Sequence, residues 1–261
     1  MMDQDFLWPH LRDLPYFRAT LRAVEARLMH EVDLKPPTLD LGSGDGHFAS
    51  VVFDRPLDVG IDPAAAIMHE ARQRHGHRLL VVADGAQLPH PDEYFASAIS
   101  NSVLEHVDRL DEVLRELGRV LRPGAPFAIT VPNPGYRGEL SLPKWLSKFG
   151  LRTLGNAYED WFMRMSRTKN LFDEAGWERR LEKAGFVVER TQRYFSPAAL
   201  RMLEWGHYFG GPCLLPRVLT GRWILAPTRW NLWLTERFVR RYYVESFSDD
   251  GTYTFLLARR K

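Results

Sequence analysis

Apolar residues recur along this chain in two rhythms. Over 14–31, Leu14, Phe17, Leu21, Val24 and Leu28 return at helical spacing with Arg18, Arg22 and Arg27 between them, which predicts an amphipathic helix. Lys35-Pro36-Pro37 ends that segment, and from Thr38 the pattern changes to short apolar runs alternating with helical stretches. Strands are predicted from Thr38 and over 57–62, 79–83, 95–100, 127–131, 186–194 and 253–258. Helices are predicted over 48–53, over 63–74 with Pro63 in the first turn, and over 110–121, stopped by Arg122-Pro123-Gly124. Two more follow: 172–184 with Gly185 as its cap, and one from Ser196-Pro197 to Trp205. Strands that alternate with helices predict an α/β fold, here a seven-stranded and mostly parallel sheet covered by helices on both faces.

Two stretches break the rhythm. Residues 133–170 carry Tyr136, Trp145, Phe149, Tyr158, Trp161 and Phe162 among Arg and Lys, and 206–243 is rich in Trp and Arg; neither shows a clean strand. Ser248-Asp249-Asp250-Gly251 reads as a tight turn before the last strand. With no repeat, linker or low-complexity tract, 1–261 reads as one domain, with a core over 35–135 and insertions at 133–170 and 206–243. Within the second insertion Arg237, Arg240 and Arg241 against Trp230, Trp233 and Phe238 describe either a basic amphipathic helix suited to a membrane surface or a core helix with solvated arginines, the reading we favour.

The chemistry concentrates at 38–46, where Asp40 precedes the alternate glycines Gly42, Gly44 and Gly46. A glycine-rich turn after a strand lets the backbone approach a ligand that a Cβ would push away. The third glycine comes one place too early for a dinucleotide fingerprint, and His47 follows it. Asp40 would repel a pyrophosphate and suits a ligand with an ammonium group, as in S-adenosylmethionine (SAM). Asp62 closes the second strand, Asp84 with Gly85-Ala86 closes the third, and Ser100-Asn101-Ser102 follows the fourth. In an open parallel sheet these strand ends line one crevice. An acid after strand two can accept both hydroxyls of a ribose, and one after strand three can accept the amine of an adenine. Each residue also has a plain structural role open to it: Asp62 as a helix cap, Asp84-Gly85 as a turn, His106 as a solvated or core histidine.

Composition narrows the setting. The chain of 261 residues is 45% apolar and 26% charged, as in soluble globular proteins. Its net charge of +2 implies no nucleic-acid partner. The single cysteine, Cys213, excludes an internal disulfide and a cysteine-based zinc site, and no metal is expected. The start has no signal pattern and no run of about eighteen apolar residues occurs, so the expected compartment is the cytoplasm, with peripheral membrane contact compatible.

Five motifs now stand in order: Leu39-Asp40-Leu41-Gly42-Ser43-Gly44-Asp45-Gly46, Gly60-Ile61-Asp62, Ala83-Asp84-Gly85, Ser102-Val103-Leu104-Glu105-His106-Val107 and Arg119-Val120-Leu121-Arg122-Pro123-Gly124. Together they resemble the class I SAM-dependent methyltransferases, in the branch with a methyltransferase type 11 core. The resemblance covers roughly 35–135, and the 186–194 and 253–258 strands fit the family's last two. It implies a Rossmann-like fold and SAM as cofactor. It further implies that Asp40 and the backbone of Gly42, Ser43, Gly44 and Gly46 hold the methionine end, with Asn101 facing that part. Asp62, followed by Pro63, is implied on the ribose and Asp84 with Gly85-Ala86 on the adenine, while Met68 packs near the adenine or serves as a helix core residue. Ser43 stands where many members have Cys or Thr.

The function so implied is methyl transfer by in-line displacement at the sulfonium. Positioning supplies most of the rate, and a hydroxyl or carbon acceptor also needs a base. His106, Tyr136, Tyr158 and His207 are the candidates by residue type and expected placement. The mixed aromatic and arginine character of the insertions points to a bulky, partly apolar acceptor, such as an isoprenoid, aromatic or lipid-linked molecule. The alternatives are a non-catalytic SAM-fold binding or partner protein and, against the glycine spacing, a nicotinamide-linked oxidoreductase.

Overall fold

The apolar runs become seven strands: β1 (Thr38–Leu41), β2 (Leu57–Asp62), β3 (His77–Val82), β4 (Ser97–Asn101), β5 (Pro126–Pro132), β6 (Phe186–Tyr194) and β7 (Tyr253–Arg260). In this computed structural model, which describes residues 4–261, they form one sheet in the order β3-β2-β1-β4-β5-β7-β6. β1 to β5 run parallel, with Asp40 beside Gly60 on one side and Ile99 on the other. β7 is antiparallel to β5, with Leu256 opposite Ile129. The sheet is the expected Rossmann-like one, and β1 sits where its winding reverses. The central strands β1 and β4 are buried at every residue, as a parallel strand covered on both faces must be. β3 is an edge strand, and its Leu79 and Val82 are exposed.

Several boundaries differ from those the pattern predicts, each for a local reason. Phe95 lies before β4 and makes an isolated bridge to Leu121. The helix expected from Pro63 is Ala65–Arg74, because Asp62 Oδ1 accepts the Ala64 N–H and holds Ala64 extended. The stretches read as irregular are largely helical: Gly135–Gly138, Ser141–Lys148 and Arg152–Met165 in the first, Leu214–Thr220 and Arg229–Tyr243 in the second, with Pro197–Phe209 running past Trp205. A short helix, Leu7–Leu11, was not anticipated.

The described chain divides into two compact units, each assembled from separate segments. One comprises Met29–Pro134, Met163–Gln192 and Tyr253–Lys261 and holds nearly all of the sheet. Its core packs Leu39, Ile61, Phe95, Phe127, Ile129 and Leu256 with Val113, Leu114 and Leu117 of the helix Leu110–Val120 and with Trp177 and Leu181 of the helix Glu174–Lys183. Asp173 caps the latter by accepting the Gly176 N–H at 2.8 Å. The two helices approach closely at Gly118, where a Cβ would lie 2.4 Å from the Ala184 carbonyl oxygen.

The other unit takes 4–28, Gly135–Phe162 and Arg193–Thr252 and is mainly helical. Two fully buried carboxylates organise it. Glu25 accepts from Arg22 Nη1 at 2.5 Å and from Tyr194 Oη at 3.2 Å. Glu204 accepts from the Ser141 N–H and hydroxyl, both at 2.7 Å, and from the Leu142 N–H at 3.2 Å, so it caps the helix Ser141–Lys148 from a distant part of the chain. Satisfied in this way, a buried acid fixes one arrangement of the helices that supply its donors.

The contact at Gly118 gives a direct test. Gly118→Ala introduces a methyl against a backbone carbonyl that cannot swing aside. It is expected to destabilise the protein by about 1–3 kcal/mol, read as a lower urea midpoint with unchanged slope.

Candidate functional site

The carboxyl end of β1 leads into a turn that only glycine permits. Gly42, Gly44 and Gly46 have φ of 78°, 54° and 70°, in the left-handed region. At Gly42 the demand is double, since a Cβ there would sit 2.4 Å from the Val103 methyls. The Gly42 and Ser43 N–H groups donate to the Ile61 carbonyl at 2.8 and 3.0 Å, which carries the β1–β2 pairing into the turn. The turn then meets the end of β2: Asp62 accepts the Gly44 N–H at 3.1 Å on one oxygen and the Ala64 N–H at 2.8 Å on the other.

These elements open onto a crevice of about 530 Å³ within the sheet unit. Gly42, Asp62, Pro63, Asp84 and Gly85 line it, so the ends of β1, β2 and β3 meet there, while Ser100, Asn101 and Ser102 after β4 are not in the lining. Val103, His106, Asp108, Arg109 and Arg167 also line it. Asp84 Oδ1 accepts the Ala86 N–H at 2.8 Å, and Oδ2 pairs with the Arg109 guanidinium. The Ala86 N–H above all, with the Arg109 charge beside it, holds the Asp84 carboxyl below the usual carboxylate range, and desolvation opposes them. A crevice of this size, lined by the carboxylates of Asp62, Asp84 and Asp108 together with Arg109 and Arg167, suits a ligand rich in hydroxyl and amine donors.

Other predicted residues lie outside the lining. Asp40 is buried and accepts from His77 Nε2 at 2.8 Å. The His77 ring reaches it by crossing Gly60, where a Cβ would meet the ring at 2.8 Å. Asn101 is buried at the end of β4 and accepts from the Thr130 hydroxyl at 2.8 Å. Ser43 is buried with its hydroxyl 3.7 Å from Met68 Sδ, and Met68, 2% exposed, is a core residue of its helix. Gly44, Gly46 and Ala86 shape the turns behind the crevice.

The four candidate bases separate. His106 lines the crevice, and its Nδ1 lies 3.0 Å from the Arg167 carbonyl, to which it donates in the neutral ring. Tyr136, Tyr158 and His207 belong to the helical unit. Tyr136 packs on Phe162 there. Burial above all, with the Glu204 carboxylate near it, pushes the Tyr158 phenol far above its ordinary range, and its hydroxyl lies 2.9 Å from that of Tyr208. Burial pushes His207 down, and it sits between Phe17 and Phe162 with Nδ1 2.8 Å from the Leu203 carbonyl. Sequence reasoning missed His77, Arg109 and Arg167. The only signal for His77 was a glycine in the middle of β2, which marks a close approach in a strand.

Comparison with known proteins fits this geometry. Residues 39–129 match a family described as a methyltransferase domain. An uncharacterized methyltransferase of Mycobacterium tuberculosis is 31% identical over 155 residues, covering 55% of this chain and 57% of the relative. The chain thus spans just over half the length of that relative. A crystal structure of a SAM-dependent methyltransferase from Thermotoga maritima superposes with a TM-score of 0.59 at 17% identity, over 94% of this chain and 91% of the other. A cyclase superposes with a TM-score of 0.56 at 19% identity, over 94% and 80% of the two chains, so the fold by itself does not fix the reaction.

The Asp40–His77 pair yields the prediction here. His77→Ala leaves the Asp40 carboxyl buried without its donor, at a cost of about 1–3 kcal/mol or more. Asp40→Asn/His77→Ala together should be less harmful than the two single changes added, measured by a double-mutant cycle of urea unfolding.

Proposed function

We propose that this chain, whose residues 39–129 belong to the methyltransferase-domain family and whose sheet is that of the class I SAM-dependent enzymes, binds SAM in the crevice and methylates a bulky, partly apolar acceptor. One observation carries the cofactor reading: Asp62 and Asp84 line one crevice beside a glycine turn. Each Asp62 oxygen holds one backbone N–H and keeps a second lone pair, so the carboxylate can take the two ribose hydroxyls. The Asp84 carboxylate, fixed by Ala86 and Arg109, is placed to accept an adenine amine, with the Gly85-Ala86 backbone beside the ring. Asp40 precedes the turn by two residues, held by His77, and supplies the negative charge for the methionine ammonium.

When bound, SAM supplies a methyl group that is already electrophilic. The remaining work of this chain is to hold an acceptor in line and exclude water, with effects of about 7–11 kcal/mol available from orientation. Where the acceptor is a hydroxyl or carbon, His106 is the candidate to take its proton, because it alone of the four candidates lines the crevice. An acceptor already ionised needs no base. The partly apolar acceptor class rests on the aromatic side chains of the helices Arg152–Met165 and Pro197–Phe209, several of them exposed, including Trp161, Trp205, Tyr208 and Phe209.

Calorimetric titration with SAM, S-adenosylhomocysteine and NAD tests the cofactor. Micromolar binding of both adenosyl ligands and none of NAD is expected, with Asp62→Ala weakening it by about tenfold or more through loss of two hydrogen bonds to a charged group. Failure of well-folded protein to bind either adenosyl ligand would overturn the proposal. The acceptor class has its own test, transfer of a labelled methyl group from SAM to isoprenoid, aromatic and small polar acceptors in parallel. Label found only on the small polar ones would refute it.

A further inference from the structure

Most of the helix Arg229–Tyr243 follows ordinary rules: Leu232, Val239 and Tyr243 are buried along one stripe. Its other side does not. Trp230, Trp233, Leu234 and Phe238 recur at helical spacing and are exposed by 89%, 58%, 70% and 47%. A helix apolar on two sides has one side without a partner. The neighbouring helix Leu214–Thr220 goes further, with no buried residue at all and with Leu214, Leu215, Val218 and Leu219 exposed by 55–81%. Scattered surface apolar residues need no explanation, but this many in one segment mark an interaction surface.

The charges indicate which surface. Between 206 and 243 the chain holds six arginines, Arg217, Arg222, Arg229, Arg237, Arg240 and Arg241, and one acid, Glu236. Glu236 is consumed internally, by Arg240 at 2.5 Å and by Arg229 at 3.8 Å. Arg241 lies over the Phe238 ring at 4.8 Å and Arg217 over Trp223 at 5.7 Å, so the guanidiniums are interleaved with the apolar side chains. Aliphatic and tryptophan side chains edged by arginine are complementary to the headgroup region of an anionic bilayer: the apolar parts enter the acyl boundary while the guanidiniums reach phosphates. A fluid bilayer also accepts the bare aliphatic tips of Leu214–Thr220 without shape complementarity, which a protein partner would have to provide. No helix among the described residues is long and apolar enough to cross a membrane, so the contact is with its surface.

We propose that the segment 214–241 docks this protein onto anionic lipid bilayers, with Trp230, Leu234 and Phe238 entering the interface and Arg237 and Arg241 pairing with lipid phosphates. This stands apart from the methyl-transfer reading and does not depend on it.

Flotation with phosphatidylcholine vesicles, with and without phosphatidylglycerol, tests it on the full chain. Binding is expected to the anionic vesicles, weakening steeply with salt. Arg237→Glu and Arg241→Glu should each lower it by about fivefold or more, and Trp230→Ser/Leu234→Ser by roughly tenfold or more. Because all four side chains are exposed, the melting curve of each variant should match the wild type. In the wild type, acyl-chain bromines should quench tryptophan fluorescence, and Trp230→Ser should lose much of that quenching. Three results would overturn the proposal: folded wild type that stays unbound at low salt, binding unchanged in all variants, or a dimer in light scattering that Leu234→Ser dissociates, which would assign the face to a second copy of the chain.

Discussion

The turn after β1 has to leave the sheet, fold back over the end of β2 and expose its backbone, all within five residues. That constraint organises the rest of the crevice. A left-handed residue other than glycine costs roughly 1–2 kcal/mol at each such position, and Gly42, Gly44 and Gly46 all have positive φ. At Gly42 there is no room for a side chain in any case, because Val103 fills the space. Once the turn is made, Gly44 presents its N–H to Asp62, Asp62 also holds Ala64, and the helix thereby starts only at Ala65. One backbone decision thus positions the acid that the ligand reading relies on.

Buried and exposed charges do different work here. Asp84 and Arg109 are each more than half exposed, so their pairing is worth little to stability. Its effect is on orientation, since a carboxylate held by Ala86 and Arg109 has few other rotamers to adopt. Asp40, Glu25 and Glu204 are the opposite case. Each is 5% exposed or less and would be costly to bury alone, and each is answered by donors from a distant segment: His77, Tyr194, or the Ser141 and Leu142 amides. Such pairs specify which segments meet.

The sheet and the crevice were legible in the sequence because both are written locally. A strand that ends in Asp62, or two residues before Asp84, marks its own boundary, and the glycine spacing after Asp40 separates this turn from a dinucleotide turn within nine residues. His77 was not legible, because its partner lies two strands away and the pair depends on the parallel register that sets Asp40 beside Gly60. Arg109 was equally hidden, being 25 residues from Asp84 with no periodic rule connecting them. The helices of 133–170 and 206–243 were obscured for another reason. Gly150, Pro212, Pro216 and Gly221 break the stretches into short pieces, and in Arg229–Tyr243, where the arginines and aromatic residues did suggest a helix, the apolar residues fall on two sides, which left open the face it buries. Among the candidate bases, residue type gave four choices, and only topology could place Tyr136, Tyr158 and His207 in the unit without the crevice.

The net charge of +2 conceals a local asymmetry. Residues 206–243 carry six arginines against one glutamate, so the remainder of the chain is net acidic and the positive charge is local. A basic segment meant for nucleic acid alone has no use for Leu214, Leu215, Val218, Leu219 and Leu234 in solvent, since phosphates reward donors and bases reward flat aromatic faces. A core helix with solvated arginines accounts for Leu232, Val239 and Tyr243, and it leaves Trp230 and Phe238 unexplained. The observed helix combines the two: Leu232, Val239 and Tyr243 are buried on one face, and Trp230, Leu234 and Phe238 are exposed on the other, with Arg241 over the Phe238 ring.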